Sequence, residues 1–283
     1  MYLQHFGLTE YPFGITPDTS YVFSATAHQE ALNTLLVALD SGEGFVKISG
    51  EVGTGKTLLC RRFLASLRDE ATVTAYIPNP LLEPRMLLLA VAEELGIALD
   101  KYDYQFHLIK VLNDKLLAYA EAGKRVIVCI DEAQAIPLES LEALRLLSNL
   151  ETEKRKLMQI VLFGQPELDA KLADPSVRQL RQRIAFAYRL SGLRRGELDH
   201  YLNHRLRVAG FRNHGTLFSH GAVRGLHKAS GGTPRVVNIL AHKALLSAFG
   251  EGRQQVKGRH VVQAARDTEG LARRLSWLDG LPT

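Results

Sequence analysis

Cysteine is nearly missing from this chain, with two in 283 residues, Cys60 and Cys129. Two thiols make neither a disulfide framework nor a zinc pattern, so a disulfide-stapled secreted scaffold is excluded and a reducing cytoplasm is the simplest compartment. Long apolar runs are missing too. The longest, near Met86 to Ala92, is broken by Glu93 and Glu94, well short of the ~20 apolar residues a membrane helix needs. The opening Met1-Tyr2-Leu3-Gln4-His5 lacks the basic and then apolar stretch of a secretory signal. No internal repeat or low-complexity tract is present.

What remains is ordinary globular composition. Hydrophobic residues make up 46% and charged residues 23%, which excludes a disordered chain. The length exceeds one typical domain and points to a large core with a smaller satellite. A formal charge of +5 suits nucleic acid, anionic lipid or nucleotide equally and chooses among none of them.

One stretch organises the rest. Gly50-Glu51-Val52-Gly53-Thr54-Gly55-Lys56-Thr57 fits the phosphate-binding pattern G-x-x-x-x-G-K-[ST] at every fixed position. Before it, Phe45 to Ile48 reads as a strand. After it, Leu58 to Leu67 carries apolar residues at helical spacing, so the loop lies between strand and helix as the motif requires. Glycines let successive N–H groups turn inward around phosphates, and the helix opening near Lys56 presents its positive end to them. Lys56 is the expected contact to β- and γ-phosphates, and the Thr57 hydroxyl an expected Mg²⁺ ligand. No Asn-Lys-x-Asp signature for guanine occurs, which favours ATP over GTP.

Further strands follow the same logic. Thr72 to Ile77 alternates as a strand ending at Pro78-Asn79-Pro80, and Leu87 to Leu95 and Phe106 to Ala122 read as helices. Val126 to Ile130 is a continuous apolar run delivering Asp131 and Glu132 at its end, the pattern of a buried parallel strand with ligand chemistry at its carboxyl edge. Asp131 is placed to hold Mg²⁺ through water and Glu132 to activate the attacking water. Leu138 to Leu150 is another amphipathic helix, followed by the solvated run Glu151 to Lys156. Gln159 to Phe163 is a fourth strand. Gln165 emerges at the same sheet edge, where it either holds the attacking water or a phosphate oxygen, or is a turn residue before Pro166.

Ala185 to Leu190 is a fifth strand, preceded by an arginine-dense stretch. Nine arginines lie between Arg178 and Arg212 against the two acids Glu197 and Asp199, a face suited to a phosphate of a neighbouring subunit or of nucleic acid. Beyond Gly192 helices take over: Gly196 to Val208, Ser219 (a plausible N-cap) to Ala229, Pro234 to Phe249, and Val261 to Asp267. The boundary between an α/β unit and a helical unit falls near Gly192 to Gly196. The aromatics Phe6, Tyr11, Phe13, Tyr21 and Phe23 sit among turn residues in positions 1–24, either beside a nucleotide base or packed in a core. His200 and His204 have metal-ligand spacing but lack the glutamate of a zinc hydrolase and a third ligand. Residues 270–283, with Arg273, Arg274, Trp277 and Leu278, read as a frayed tail or a docking segment.

His5-Phe6-Gly7-Leu8, Pro12-Phe13, the phosphate loop, Ile130-Asp131-Glu132-Ala133-Gln134, Ser148-Asn149-Leu150-Glu151-Thr152, Gly164-Gln165-Pro166-Glu167-Leu168 and Ser230-Gly231-Gly232-Thr233-Pro234-Arg235 together resemble an AAA+ ATPase. More narrowly, they resemble the secretion and pilus ATPases of the ExeA/GspA group, over roughly residues 1 to 268. The resemblance implies a five-stranded parallel sheet with the P-loop strand central, a small all-helical lid, and ATP with Mg²⁺ at a subunit interface. It divides the chain into a nucleotide-binding α/β domain at 1–193, a lid at 194–268 and a tail at 269–283. It implies nucleotide contacts from Gly50 through Leu58, Asp131 and Arg235, with Thr57 and Asp131 on the metal. Gln165 is implied as sensor 1, Arg235 as the sensor 2 arginine, and Arg183 as the arginine finger given in trans, with Arg178 and Arg181 as rivals.

Secretion members of the group carry a membrane helix and a peptidoglycan-binding domain after the ATPase part. Their absence before Thr283 is similar to the shorter cytoplasmic ATPases encoded with the mannose-sensitive haemagglutinin (MSHA) type IV pilus. The expected function is therefore ATP-driven assembly of a type IV pilus or a type II secretion-related apparatus. Its expected partners are further copies of itself, in a ring such as a hexamer, and machinery proteins at the inner membrane. Two alternatives stand beside it: an ATP-dependent DNA-binding regulator of the transposition target-selector type, and a nucleotide-gated scaffold.

Overall fold

The computed structural model describes residues 2–16, 19–21, 23–97, 105–151, 156–212, 215–269 and 271. Part of the charged run after Leu150 and the tail around Trp277 lie outside them. In chain order the elements are α1 (Tyr2–Phe6), α2 (Thr26–Asp40), β1 (Phe45–Gly50), α3 (Lys56–Ser66), β2 (Thr72–Ile77), α4 (Pro84–Glu94), α5 (Gln105–Glu121), β3 (Arg125–Ile130), α6 (Leu138–Leu147), β4 (Gln159–Gly164), α7 (Pro166–Leu172), α8 (Arg178–Gln182) and β5 (Ile184–Leu190). The helices α9 (Arg195–Val208), α10 (His220–Ser230), α11 (Pro234–Gly250) and α12 (Gly258–Arg266) follow among the described residues. The chain divides into two units, one of residues 28–51 and 56–190 and one of residues 1–27, 52–55 and 191–283.

The first of these is built on a parallel sheet in the order β2-β3-β4-β1-β5. Every residue of β4, and all of β3 after Arg125, is buried, as parallel strands covered on both faces require. The pleat sends Val126, Val128 and Ile130, with Ile160 and Leu162, into a core shared with Leu87, Leu88 and Val91 of α4, Leu112 and Leu116 of α5, and Leu141 and Leu144 of α6. Strand β1 is interior but not the middle strand, which is β4. Among the described residues only β5 lies beyond it, so the expected central P-loop strand sits one place off centre.

This register fixes the site. Ser49 pairs with Gly164 and Ile130 with Leu162, while the Asp131 N–H extends the ladder to the Ile77 carbonyl at 2.9 Å. The ends of β1, β3 and β4 therefore release Gly50, Asp131 and Gln165 along one sheet edge.

In the other unit α9 to α12 pack around Leu202, Leu226, Leu240 and Val261. Local signals set the helix ends. The Ser219 hydroxyl accepts the Ala222 N–H at 3.2 Å and caps α10, Gly231 ends it at φ 60°, and Pro234 opens α11. Of the N-terminal aromatics, Phe6, Phe13 and Tyr21 take the core role together with Tyr2, Phe23 packs partly buried against that core, and Tyr11 stays 56% exposed. Helix α1, where the composition suggested extended or turn structure, forms because Tyr2 and Phe6 lie four apart and bury one face.

Arg205, one of the nine arginines, is spent inside this unit. Its guanidinium donates to the carbonyls of Pro12 at 2.6 Å and Gly14 at 3.4 Å and to the Tyr201 hydroxyl at 3.2 Å, and it stacks 4.5 Å from the Tyr21 ring. Only 8% exposed, it ties the N-terminal arm to α9. Arg205→Met is expected to destabilise the protein by about 2–4 kcal/mol, because it strands the buried Pro12 carbonyl and removes a stacked charge. A urea-unfolding midpoint unchanged by the substitution would contradict this role.

Candidate functional site

The glycine loop is shaped by backbone demands that few residues meet. Gly53 sits at φ 82° and Gly55 at φ 97°, left-handed conformations that side chains disfavour. A Cβ on Gly53 would also lie 2.4 Å from the Arg235 Cβ, and the Arg235 N–H donates to the Gly53 carbonyl at 3.2 Å. Arg235, exposed at the second position of α11, is thus fixed by its backbone against the loop's glycine. Thr54 is buried and Val52 exposed.

Lys56 opens α3 and is only 6% exposed. Its ammonium donates to the carbonyls of Gly50 at 2.8 Å and Glu51 at 3.1 Å. Burial pushes its pKa below the ordinary lysine value, against the pull of Glu132, Asp131, Glu51 and Glu167 in that order. The lysine and the acidic strand end therefore share one electrostatic environment. Thr57 and Leu58 follow, both half-buried.

Asp131 is 2% exposed. One carboxylate oxygen accepts the Glu132 N–H at 2.9 Å, and the other lies 3.4 Å from the Tyr76 hydroxyl, whose pKa is pushed up to about 12 by burial and by the Asp131 charge. Glu132 is the single non-glycine residue at positive φ among the described residues, at φ 50°, ψ 37°. Such a conformation costs about 1–3 kcal/mol and persists where its surroundings over-determine it. One Glu132 oxygen accepts from the side-chain amides of Gln134 at 2.5 Å and Gln165 at 3.0 Å. The residues at the ends of β3 and β4 are thereby joined side chain to side chain.

The donor set suits the group the loop calls for. A hydroxyl (Thr57) and a carboxylate (Asp131) are hard oxygen ligands of the kind Mg²⁺ takes while keeping several waters. The left-handed glycines leave the loop backbone open to an anion. Among the described residues, no group of three or more His, Cys, Asp or Glu side chains is arranged to hold a metal by itself. His200 and His204 instead line a cavity of about 710 Å³ with Glu197, Asn203, Phe23 and Phe211.

Arg183 is half-buried and donates to the Ser148 hydroxyl at 3.0 Å, whereas Arg178 and Arg181 are exposed. The sequence reading gave no structural role to Gln134, Lys171, Tyr76 or the cysteine pair. Cys60 of α3 and Cys129 of β3 are both free and buried, and the neighbouring Cys129 together with burial drives the Cys60 thiol pKa far up. The pair is therefore an inert packing contact. Alternation in β2 and β3 could have placed Tyr76 and Cys129 on their faces, but nothing local to residue 134 announces its partners.

Gly53→Ala is expected to lower stability by about 1–3 kcal/mol, since it meets both a left-handed φ and a clash with Arg235. A thermal midpoint within one degree of the parent would contradict the loop geometry.

Residues 39–172 match the family described as AAA domain. The chain is 43% identical over 281 residues to general secretion pathway protein A of Aeromonas hydrophila, covering 99% of this chain and 51% of that protein. It thus spans about half the length of this curated relative. Among solved structures it is similar to Cdc6p of Pyrobaculum aerophilum, with a TM-score of 0.66 at 19% identity over 94% of this chain and 75% of that one. The ORC2 protein of Aeropyrum pernix gives a TM-score of 0.61 at 20% identity over 90% and 71%. The RuvB branch migration motor of Thermotoga maritima gives 0.55 at 15% over 97% and 83%. At these identities the structural likeness speaks for the fold, and the fold is that of the P-loop AAA+ proteins.

Proposed function

We propose that this protein is an AAA+ ATPase of the ExeA/GspA group that hydrolyses MgATP to ADP and phosphate and serves a protein secretion apparatus or a related type IV pilus machine. The observation that carries the ATPase reading is the buried Lys56 ammonium, held in the glycine loop and felt by Glu132 and Asp131. The 43% identity to a general secretion pathway protein supports the secretion setting. The need for ATP favours a cytoplasmic site of action, and the secretion setting favours one beside the inner membrane. The nucleotide-binding part is taken to run to residue 193 and the lid from 194 to 268, with the arm at 1–27 packing among the lid helices.

In this reading the backbone from Gly50 to Leu58 cradles the phosphates, and Lys56 exchanges its two carbonyl partners for β- and γ-phosphate oxygens. Thr57 and Asp131 hold Mg²⁺, which supplies charge neutralisation on the phosphates when bound. Glu132 takes the proton of the attacking water and Gln165 orients that water. Arg235 contributes charge to the γ-phosphate. Arg183, its guanidinium steadied by Ser148, is assigned as the arginine given to a second copy in an ATP-dependent ring.

Phosphate release and equilibrium binding of a fluorescent ATP analogue test these roles together. Lys56→Ala is expected to weaken binding by about 100-fold. Glu132→Gln is expected to keep binding within about threefold while turnover falls about 100-fold or more. Arg183→Ala is expected to remove most turnover, about 10³-fold, with Arg178→Ala and Arg181→Ala much milder. Turnover that survives Lys56→Ala and Glu132→Gln sinks the reading.

A further inference from the structure

Gln134 stands two residues past Glu132 on the 3-10 turn Ala133–Ala135. Both ends of its amide are engaged: the nitrogen donates to the Glu132 carboxylate at 2.5 Å and the oxygen accepts the Gln165 main-chain N–H at 3.0 Å. Since Gln165 also donates its own amide to the same Glu132 oxygen at 3.0 Å, the three residues close a ring of hydrogen bonds. The turn carrying Gln134 is held from another element. The Lys171 ammonium, on α7, donates to the Gln134 and Ile136 carbonyls, each at 2.6 Å. The fit is close, because a Cβ on Gly164 would lie 3.4 Å from the Gln134 side-chain oxygen and 2.6 Å from Leu168.

We propose that Gln134 is a positioning residue for hydrolysis: it saturates one Glu132 oxygen, leaving the other to the water, and ties that carboxylate to the end of β4, with Lys171 anchoring the turn. The physical case rests on geometry. Glu132 adopts a left-handed backbone that nothing in its own side chain favours, so the carboxylate direction is decided by its partners. Two N–H donors on one oxygen leave the other as the free acceptor. Gln165 begins α7 as its N-cap and Lys171 lies in the last turn of that helix. A shift of the β4–α7 junction on nucleotide binding therefore moves Gln134 and Glu132 with it.

The inference rests on the ATPase reading of the same site, and its test separates the two. Gln134→Ala is expected to lower kcat about 10- to 100-fold, as misplacement of a reacting group does, with nucleotide affinity within threefold. Lys171→Met is expected to act in the same direction more weakly. Gln134→Glu keeps the shape but sets a second carboxylate against Glu132. The like charges repel, so kcat is expected to fall at least as far as in Gln134→Ala, whereas Gln134→Asn, which keeps the amide, recovers part of the loss.

The Glu132 carboxyl ¹³C resonance, assigned by its loss in Glu132→Gln, reads the hydrogen bonding of that carboxylate at one fixed pH without turnover, and it is expected to move in Gln134→Ala. A parent that hydrolyses nothing overturns the ATPase reading and the positioning role with it, whereas a kcat loss with a moved Glu132 resonance in Gln134→Ala supports the proposal. An unmoved Glu132 resonance in Gln134→Ala, or unchanged kcat in Gln134→Ala and Gln134→Glu beside an active parent, overturns the positioning role alone.

Discussion

A buried ammonium must be paired, and in this protein that requirement shapes the whole edge of the sheet. Lys56 is withdrawn from water and answered by two carbonyls of its own loop and by the field of the acids after β3. Leaving such a charge without partners costs several kcal/mol, so the loop closes on the lysine with its glycines in left-handed turns. An incoming anion that offers better partners than two carbonyls can take the lysine over. In the proposed reading the loop's resting shape and its grip on phosphate have one cause.

The sheet supplies the rest of the arrangement. Parallel pairing of β3, β4 and β1 brings their C-terminal ends level, and the buried strands permit polar residues only where they stop. Asp131 is fixed by one more ladder bond, and Glu132 turns away from it through a left-handed step into the ring with Gln134 and Gln165. A carboxylate held by amide donors at a strained backbone is directed before any substrate arrives, which is what preorganised proton transfer needs.

Much of this was legible in the chain. The phosphate loop and the acidic strand end declare themselves locally, because each depends on residues adjacent in sequence, and all five strands fall where the apolar runs lie. Helix caps at Ser219 and Pro234 were equally readable. The rest depends on partners distant in sequence. Phe6, Tyr11, Phe13, Tyr21 and Phe23 could have packed beside a base or in a core, and only the fold buries Phe6, Phe13 and Tyr21 in a core while leaving Tyr11 exposed. Helix α7 is short and follows a proline, so periodicity says little of it. The role of Gln134 follows from a positive φ two residues earlier and a lysine 37 positions later, and no spacing rule reveals either.

The most direct measurement of the central claim is the equilibrium affinity of the parent protein for ATP, ADP and AMP in the presence of Mg²⁺, by calorimetric titration. If the loop and Lys56 grip the β- and γ-phosphates, ATP and ADP bind and AMP binds about 100-fold more weakly or not at all, since charge-assisted contacts to the missing phosphates are lost. Equal affinity for AMP, or no affinity for ATP, would contradict the account at its root.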